Sequence, residues 1–162
     1  MRIAVVDIET DPIPCTRIWC IVVREVGSDK HLVWSGESLY GFVDYAKTVD
    51  LWVAHNSVAF DIPVLNKFLN ANIPYNKVID TFIVSRLVNY SKYQTHSLDE
   101  LGTAVGARKL PFKDFSRYTP EMLDYCKQDV DVTLKVYKMY ERFIWDSKWK
   151  DSLRCEHDLA VI

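Results

Sequence analysis

The stretch IAVVDIETDP, residues 3–12, constrains the fold most strongly, because an apolar run ends in two closely spaced acidic residues. Residues i and i+2 of a β-strand point to the same face. Asp7 and Glu9 therefore continue the face that Ile3 and Val5 begin. Two adjacent carboxylates repel each other and are costly to desolvate unless a positive charge lies between them. The pattern predicts a strand whose end faces a divalent metal ion.

Length and composition indicate one globular domain. The chain has 162 residues, 49% of them hydrophobic, and five tryptophans. No apolar run approaches the roughly 18 residues of a membrane span, and the immediate start of a strand predicts no signal peptide. The four cysteines lack metal-ligand spacing, so we expect free thiols in a reducing compartment rather than structural disulfides. A net charge of −2 means that any contact with nucleic acid should be local, metal-assisted or aided by another domain.

Hydrophobic periodicity and turn residues predict the order of elements along the chain. The predicted strands and helices are, in order, strands at 2–8, 18–26 and 31–35, a helix at 38–48, a strand within 50–56, a helix within 60–72, a strand at 77–80 and a helix at 81–90. Strands joined by short turns should be antiparallel, whereas strands that follow helical crossovers should be parallel to the first. This order predicts a ribonuclease-H-like α/β fold, with a mixed five-stranded sheet flanked by helices.

Two further helices have recognisable starts. Ser97 followed by Glu100 is a capping box. Thr119 and Pro120 suit the N-cap and first position of a long helix.

Two more acidic residues lie where elements meet. Asp61 ends the pattern Asn-x-x-x-Phe-Asp, which begins at Asn56 where a strand gives way to a helix. Asp129 lies on the late helix, with Tyr125 four residues earlier on the same face. Each pattern alone has an ordinary explanation, such as solvated strand-end charges, a capped helix start or a helix surface. Their joint occurrence favours a site in which carboxylate oxygens bind hard cations, Mg²⁺ or Mn²⁺, for phosphodiester hydrolysis.

The segments DIET, HNSVAFD and YCKQD resemble the three motifs of the DEDD exonucleases, in the subgroup that contains a tyrosine. This subgroup includes the 3′→5′ proofreading domains of family A DNA polymerases and ribonuclease D. IDTFIVSRL and EMLDYCKQDVDVT look most like the exonuclease domain of T-odd podophage polymerases. The resemblance spans residues 3 to about 140. It implies an exonuclease domain at 1–145 and a helical extension at 146–162 that leads to a polymerase domain or a partner.

The resemblance also implies the activity and its metal ligands. The enzyme would remove nucleotides from the 3′ end of single-stranded or frayed DNA, releasing nucleoside monophosphates, and would proofread phage DNA replication in the host cytoplasm. Two Mg²⁺ or Mn²⁺ ions would be bound by Asp7, Glu9, Asp61 and Asp129. Tyr125 would orient the attacking water. Related enzymes with a histidine base place it five residues before the last aspartate, where this chain has Asp124.

The same resemblance implies which residues contact the substrate. Thr10 and Asn56 would contact the terminal nucleotide, and Ile13 matches an apolar wedge beside the last base. His96, which precedes a helix cap, is a further candidate contact with the substrate strand. Lys109 belongs to a mildly basic segment that either follows the phosphate backbone or forms a solvated loop.

Two other functions remain open at this stage. One is an RNA 3′-end trimming enzyme similar to ribonuclease D, because the sequence offers no sensor of the 2′-hydroxyl group. The other is a catalytically inactive nucleic-acid-binding module, although clustered negative charge gives a pure binder no advantage against phosphates.

Overall fold

The computed structural model describes residues 1–108 and 110–161. The strands in this part of the chain are β1 (Ile3–Thr10), β2 (Ile18–Glu25), β3 (His31–Ser35), β4 (Leu51–Ala54) and β5 (Val78–Asp80). The α-helices are α1 (Gly41–Ala46), α2 (Asp61–Leu69), α3 (Thr81–Val88), α4 (Leu98–Ala104), α5 (Pro120–Ile144) and α6 (Lys150–Val161). Short 3₁₀ helices at Gly36–Tyr40 and Tyr75–Lys77 precede α1 and β5.

The five strands form one sheet in the order β3-β2-β1-β4-β5. β1 pairs antiparallel with β2, and β2 pairs antiparallel with β3. β4 lies parallel to β1, and β5 lies parallel to β4. The predicted mixed five-stranded sheet is confirmed. Because β1, β4 and β5 are parallel, their carboxyl ends meet at one edge of the sheet, the usual place for a ligand site in such folds.

Hydrophobic cores cover both faces of the sheet, and β1 contributes to each. Ala4, Val6 and Ile8 belong to the core that contains residues of α1 and α2. Val5 belongs to the core on the opposite face, which contains residues of α3, α4 and α5. Since side chains alternate along a strand, Asp7 lies on the same face as Val5, toward α5. The fold therefore directs the acidic end of β1 at the long helix.

The helix α5 begins as the sequence predicts. The Thr119 hydroxyl accepts a hydrogen bond from the Met122 amide at 3.1 Å, and Pro120 occupies the first turn. Buried residues recur along the helix from Met122 to Ile144, and this stripe packs across β1 and β2. The second and third turns of α5, which carry Tyr125, Cys126 and Asp129, thereby reach the carboxyl end of β1.

Several element ends differ from the sequence prediction by one or two residues, and one predicted helix is divided. β1 continues to Thr10, two residues beyond the predicted end, because Glu9 and Thr10 still pair with β2. The predicted helix at 38–48 is divided into the 3₁₀ helix Gly36–Tyr40 and the α-helix α1.

The capping box before α4 forms only in part. The Ser97 hydroxyl accepts from the Glu100 amide at 3.2 Å. The Glu100 carboxylate accepts from the backbone amides of residues 94, 95 and 96 rather than from that of Ser97.

The predicted boundary at residue 145 falls in the turn between α5 and α6. α6 follows this turn and packs against α3 and the 3₁₀ helix Tyr75–Lys77. Its buried residues are Leu153 and His157. Among the described residues, no helix has the length and apolar character needed to cross a membrane.

Candidate active site

The acidic end of β1 lies directly against α5. Carboxylate oxygens of Asp7 and Glu9 and the sulfur of Cys126 all lie within 4.8 Å of one another. The Cys126 thiol donates a hydrogen bond to Asp7 Oδ2 at 3.2 Å. A cysteine therefore lies beside the acidic residues, although the spacing of the cysteines along the chain does not indicate it. Burial raises the pKa of Cys126 well above its ordinary value, so the thiol stays protonated and acts as a donor to Asp7.

Asp61 enters the same site from the start of α2. The carbonyl of buried Ser57 accepts from the amides of Phe60 at 3.2 Å and Ile62 at 3.0 Å, which fixes the first turn of the helix. The backbone of Ile8 in β1 lies near the Asp61 carboxylate and lowers its pKa, although burial has the larger and opposite effect. Asp61 thus lies against the strand that carries Asp7.

The electrostatics show that the four predicted ligands converge. Burial raises the pKa of Asp7 well above its usual range, and the negative charges of Glu9, Asp61 and Asp129 raise it further. Burial likewise raises the pKa of Asp61 to about 7, with contributions from the charges of Asp80 and Asp129. The repulsive contributions to these shifts, which are smaller than that of burial, require carboxylates that lie close to one another. The structure therefore brings Asp7, Glu9, Asp61 and Asp129 together at the end of β1.

The donor set fits divalent metal ions. Four carboxylates in a partly desolvated cluster are strongly destabilised as anions, and bound cations would relieve that repulsion. Oxygen ligands favour hard ions such as Mg²⁺ or Mn²⁺. The protonated thiol of Cys126 is suited to orient Asp7 rather than to replace one of the carboxylates.

The raised pKa of Asp61 predicts how pH affects the stability of the metal-free protein. Its pKa is about 7 when folded against 3.8 ordinarily, so between these values the folded state binds a proton that the unfolded state does not. Stability then falls as pH rises, by up to about 1.4 kcal/mol per pH unit for each such group. We expect the melting temperature in EDTA to be several degrees lower at pH 7.5 than at pH 5.

Asp61→Asn removes this titration and should flatten the dependence of melting temperature on pH in EDTA. Mg²⁺ or Mn²⁺ at pH 7.5 should restore the melting temperature of the wild-type protein and have a smaller effect on the variant. A wild-type melting temperature that rises steadily from pH 5 to pH 7.5 in EDTA would contradict the assignment of a repulsive acidic cluster.

An aromatic cluster surrounds Tyr125 next to the acidic residues. Its ring centroid lies 5.4 Å from that of Phe112 and 6.3 Å from that of Phe115. The Trp19 indole donates a hydrogen bond to the Phe115 carbonyl at 2.9 Å, which ties this segment to β2. Tyr125 is therefore held in place by packing, one helical turn before Asp129.

A cavity of about 260 Å³ adjoins the acidic cluster. Glu9, Thr10, Ile13, Phe60 and Phe115 are among the residues that line it. Ile13 is 81% exposed although its side chain is apolar, whereas Thr10 is buried and its hydroxyl donates to the Asp11 carbonyl at 2.9 Å. Two predicted substrate contacts, Thr10 and Ile13, thus lie on one recess beside Glu9.

Asn56 lines a second and larger cavity, of about 630 Å³, between α3 and α6. Its φ of 54° is in the left-handed region, which asparagine tolerates better than most residues. Phe82, Arg86, Tyr90 and Leu159 also line this cavity. Asn56 belongs to the segment that leads to Asp61, but none of the four predicted metal ligands is among the residues that line this cavity.

One of the remaining two predicted substrate contacts, His96, is not brought to the site. His96 is only 4% exposed, and its ring nitrogens lie 3.0 Å from the Ser85 hydroxyl and 3.2 Å from the Tyr90 carbonyl. Its ring is therefore engaged within the fold, and contact with substrate stays a prediction that this geometry does not support. Lys109 lies outside the described residues.

Three residues near the site were not predicted to belong to it. Cys126 is three positions before Asp129, a helical spacing from which its place beside the acidic residues could have been inferred. Phe115 belongs to an irregular segment whose path has no periodic pattern. Asp80, the last residue of β5, is an acid at a strand end like Asp7, and its buried carboxylate accepts hydrogen bonds from the backbone of the Asn56 segment.

No family model and no curated protein matches the chain by sequence. Several solved structures are similar to it. NrnC of Brucella melitensis, solved with bound Mg²⁺, aligns with a TM-score of 0.74 and 16% identity over 98% of this chain and 81% of its own. The family B DNA polymerase of the archaeon Pyrobaculum calidifontis aligns with a TM-score of 0.68 and 18% identity over 88% of this chain, which spans only 25% of that polymerase.

Escherichia coli RNase D, an exoribonuclease involved in structured RNA processing, aligns with a TM-score of 0.65 and 14% identity. The alignment covers 99% of this chain and 45% of RNase D. At these identities the likeness concerns the backbone architecture. The chain therefore shares the ribonuclease-H-like fold of these proteins.

Proposed function

We propose that the protein is a metal-dependent 3′→5′ exonuclease that removes nucleotides from single-stranded or frayed DNA. The observation that carries this proposal is the convergence of Asp7, Glu9, Asp61 and Asp129 at the carboxyl end of β1, where each raises the cost of ionising another. A fold without a cationic ligand gains nothing from such a cluster. The three sequence motifs support the same activity, and the structural neighbour NrnC, solved with bound Mg²⁺, supports the use of a divalent metal.

Two Mg²⁺ or Mn²⁺ ions, when bound by the four carboxylates, would supply a nucleophilic water and neutralise charge on the departing oxygen. The residues of the chain position the reactants around that centre. Cys126 holds the orientation of Asp7 through its hydrogen bond to Oδ2. Tyr125, fixed between Phe112 and Phe115, would direct its hydroxyl at the attacking water, and such positioning lowers the barrier without new covalent chemistry.

The two cavities suggest where the strand lies. The smaller one, with Thr10, Ile13 and Phe115, offers an apolar recess of the right character for the terminal base, since every base can stack on an aromatic or apolar side chain. The larger one, reached past Asn56, has room for the nucleotides that precede the scissile bond. Arg86 is a cation on its rim that suits the phosphate backbone.

RNA trimming is the second candidate function, favoured by the structural likeness to RNase D. The motif resemblance to family A polymerases and the structural likeness to a family B polymerase favour DNA as the substrate and proofreading of phage replication as the role. A polymerase domain or subunit would then be the partner that supplies frayed 3′ ends.

Digestion of matched oligonucleotides tests the proposal. A 5′-labelled single-stranded DNA should shorten one nucleotide at a time in Mg²⁺ or Mn²⁺, release nucleoside monophosphates, and remain intact in EDTA. The same sequence as RNA should be degraded at least about tenfold more slowly, and a DNA duplex with a mispaired 3′ end should be trimmed faster than a paired one.

Faster degradation of the RNA would establish the ribonuclease D-like alternative. Absence of shortening of either polymer in both metals, with a correctly folded protein, would indicate an inactive binding module. A 5′-labelled DNA with a blocked 3′ end, or an internally labelled circular DNA, serves as the control for contaminating endonuclease.

A further inference from the structure

Asp80 is a buried acidic residue that the proposed mechanism does not use. It ends β5, is 1% exposed, and accepts three backbone hydrogen bonds. Its Oδ1 accepts from the amides of Asn56 at 2.7 Å and Phe82 at 3.0 Å, and its Oδ2 accepts from the amide of Val58 at 3.0 Å. One carboxylate therefore caps α3 and fixes the backbone of the segment that follows β4.

That segment leads directly to Asp61. The carbonyl of Ser57, which lies between the two amides bound by Asp80, accepts from the amides of Phe60 and Ile62. These bonds define the first turn of α2, where Asp61 stands. A shift of the Asn56–Val58 backbone would consequently move the proposed metal ligand.

His157 of α6 fixes Asp80 in turn. The Leu153 carbonyl lies 2.7 Å from His157 Nδ1, and a carbonyl only accepts, so Nδ1 carries the proton. His157 Nε2 is then free to accept from the Asp80 amide, at 2.9 Å. His157 is 7% exposed, and 77 residues separate it from Asp80 along the chain. The C-terminal helix is thereby hydrogen-bonded to the end of β5.

We propose that Asp80 and His157 are positioning residues of the active site: α6, through the neutral imidazole of His157, holds the end of β5, and the Asp80 carboxylate holds the Asn56–Val58 backbone that sets Asp61. The inference rests on the proposed function for its catalytic consequence. When residues that orient metal ligands without binding the metal themselves are replaced, metal affinity or activity typically falls by about 10- to 100-fold.

Substitutions at His157 separate positioning from packing. His157→Leu introduces an apolar side chain of similar bulk and removes Nε2, the acceptor of the hydrogen bond from the Asp80 amide. His157→Gln instead provides an oxygen that can accept that bond. Leu153→Ala, also on the buried face of α6, weakens the docking of the helix without removing the acceptor. Arg154→Ala is the exposed control on the same helix. Asp80→Asn tests directly whether the Asp80 carboxylate holds the Asn56–Val58 backbone.

Amide hydrogen exchange and Mn²⁺ binding provide the readouts. In the metal-free protein, His157→Leu and Asp80→Asn should accelerate exchange at the Asn56 or Val58 amide by at least about tenfold. Both should weaken Mn²⁺ binding by about 10- to 100-fold and lower kcat with a smaller change in KM. His157→Gln should recover most of each loss, while Leu153→Ala should lower the melting temperature yet leave Mn²⁺ affinity within about threefold.

The proposal is overturned by either of two results. One is unchanged exchange at both amides, with unchanged Mn²⁺ affinity, in His157→Leu. The other is a Leu153→Ala protein that reproduces every effect of His157→Leu, which would assign the effects to packing of α6. Suppose that the wild-type protein binds Mn²⁺ and that His157→Leu and Asp80→Asn show the predicted faster exchange. If the wild-type protein then degrades neither polymer, only the proposed function fails.

Discussion

Replacing Asp129 with asparagine should reduce the rate of 3′ nucleotide release by at least about 1,000-fold. The substitution preserves the size of a side chain that is 3% exposed but removes one of the four negative charges at the end of β1. Losing a metal ligand costs several kcal/mol of transition-state stabilisation, and about 4 kcal/mol corresponds to a factor of about 1,000. Single-turnover digestion of a 5′-labelled DNA strand in Mg²⁺ measures the change.

Asp124→Asn is the matched control, because Asp124 lies on the same helix and is exposed. It should retain activity within about twofold. Asp7→Asn should behave like Asp129→Asn, and both variants should melt in EDTA at or above the wild-type temperature, since each relieves repulsion within the cluster. Substantial activity in Asp129→Asn at saturating Mg²⁺ would remove Asp129 from the set of metal ligands.

Tyr125→Phe should lower kcat by about 100-fold and leave Mn²⁺ affinity nearly unchanged. The variant retains the ring that packs against Phe112 and Phe115 and loses only the hydroxyl that would orient the attacking water. A positioned group of this kind typically contributes about 10²- to 10⁴-fold.

Tyr40→Phe is the control for removal of a tyrosine hydroxyl, because Tyr40 is 71% exposed on the 3₁₀ helix before α1. Its kinetics should equal those of the wild type. A Tyr125→Phe enzyme with full kcat would show that the water is oriented by another group, while a parallel loss of Mn²⁺ affinity would indicate a structural effect on the acidic cluster.

The sequence was informative wherever a regular element has a strong period or a defined end. Alternation along residues 3–9 predicted which face of β1 carries Asp7, and short turns against helical crossovers predicted strand direction. Asp61 and Asp129 could be identified from the sequence because Asp61 lies at the start of a regular helix and Asp129 lies within one. Together these features predicted the fold and the four acidic residues that the structure brings together.

The parts that could not be predicted depend on contacts distant along the chain. Nothing in the periodicity of α6 indicates that His157 bonds to the Asp80 amide, which lies in a different element 77 residues away. Phe115 reaches its cavity through an irregular segment held by Trp19. His96 seemed available to substrate because it precedes a helix cap, but its ring is turned inward to Ser85. The direction of a side chain in a loop depends on tertiary contacts, which the local sequence does not indicate.

The central position of β1 in the sheet determines which of its contacts can form while the protein is being synthesised. Its hairpin partner β2 is adjacent in sequence, whereas its other neighbour, β4, and the covering helix α5 emerge much later from the ribosome. Contacts between distant segments form slowly because long loops must close first. A nascent chain shorter than about 130 residues lacks Asp129, so under the proposed function it would not yet be able to cleave nucleic acid near the translating ribosome.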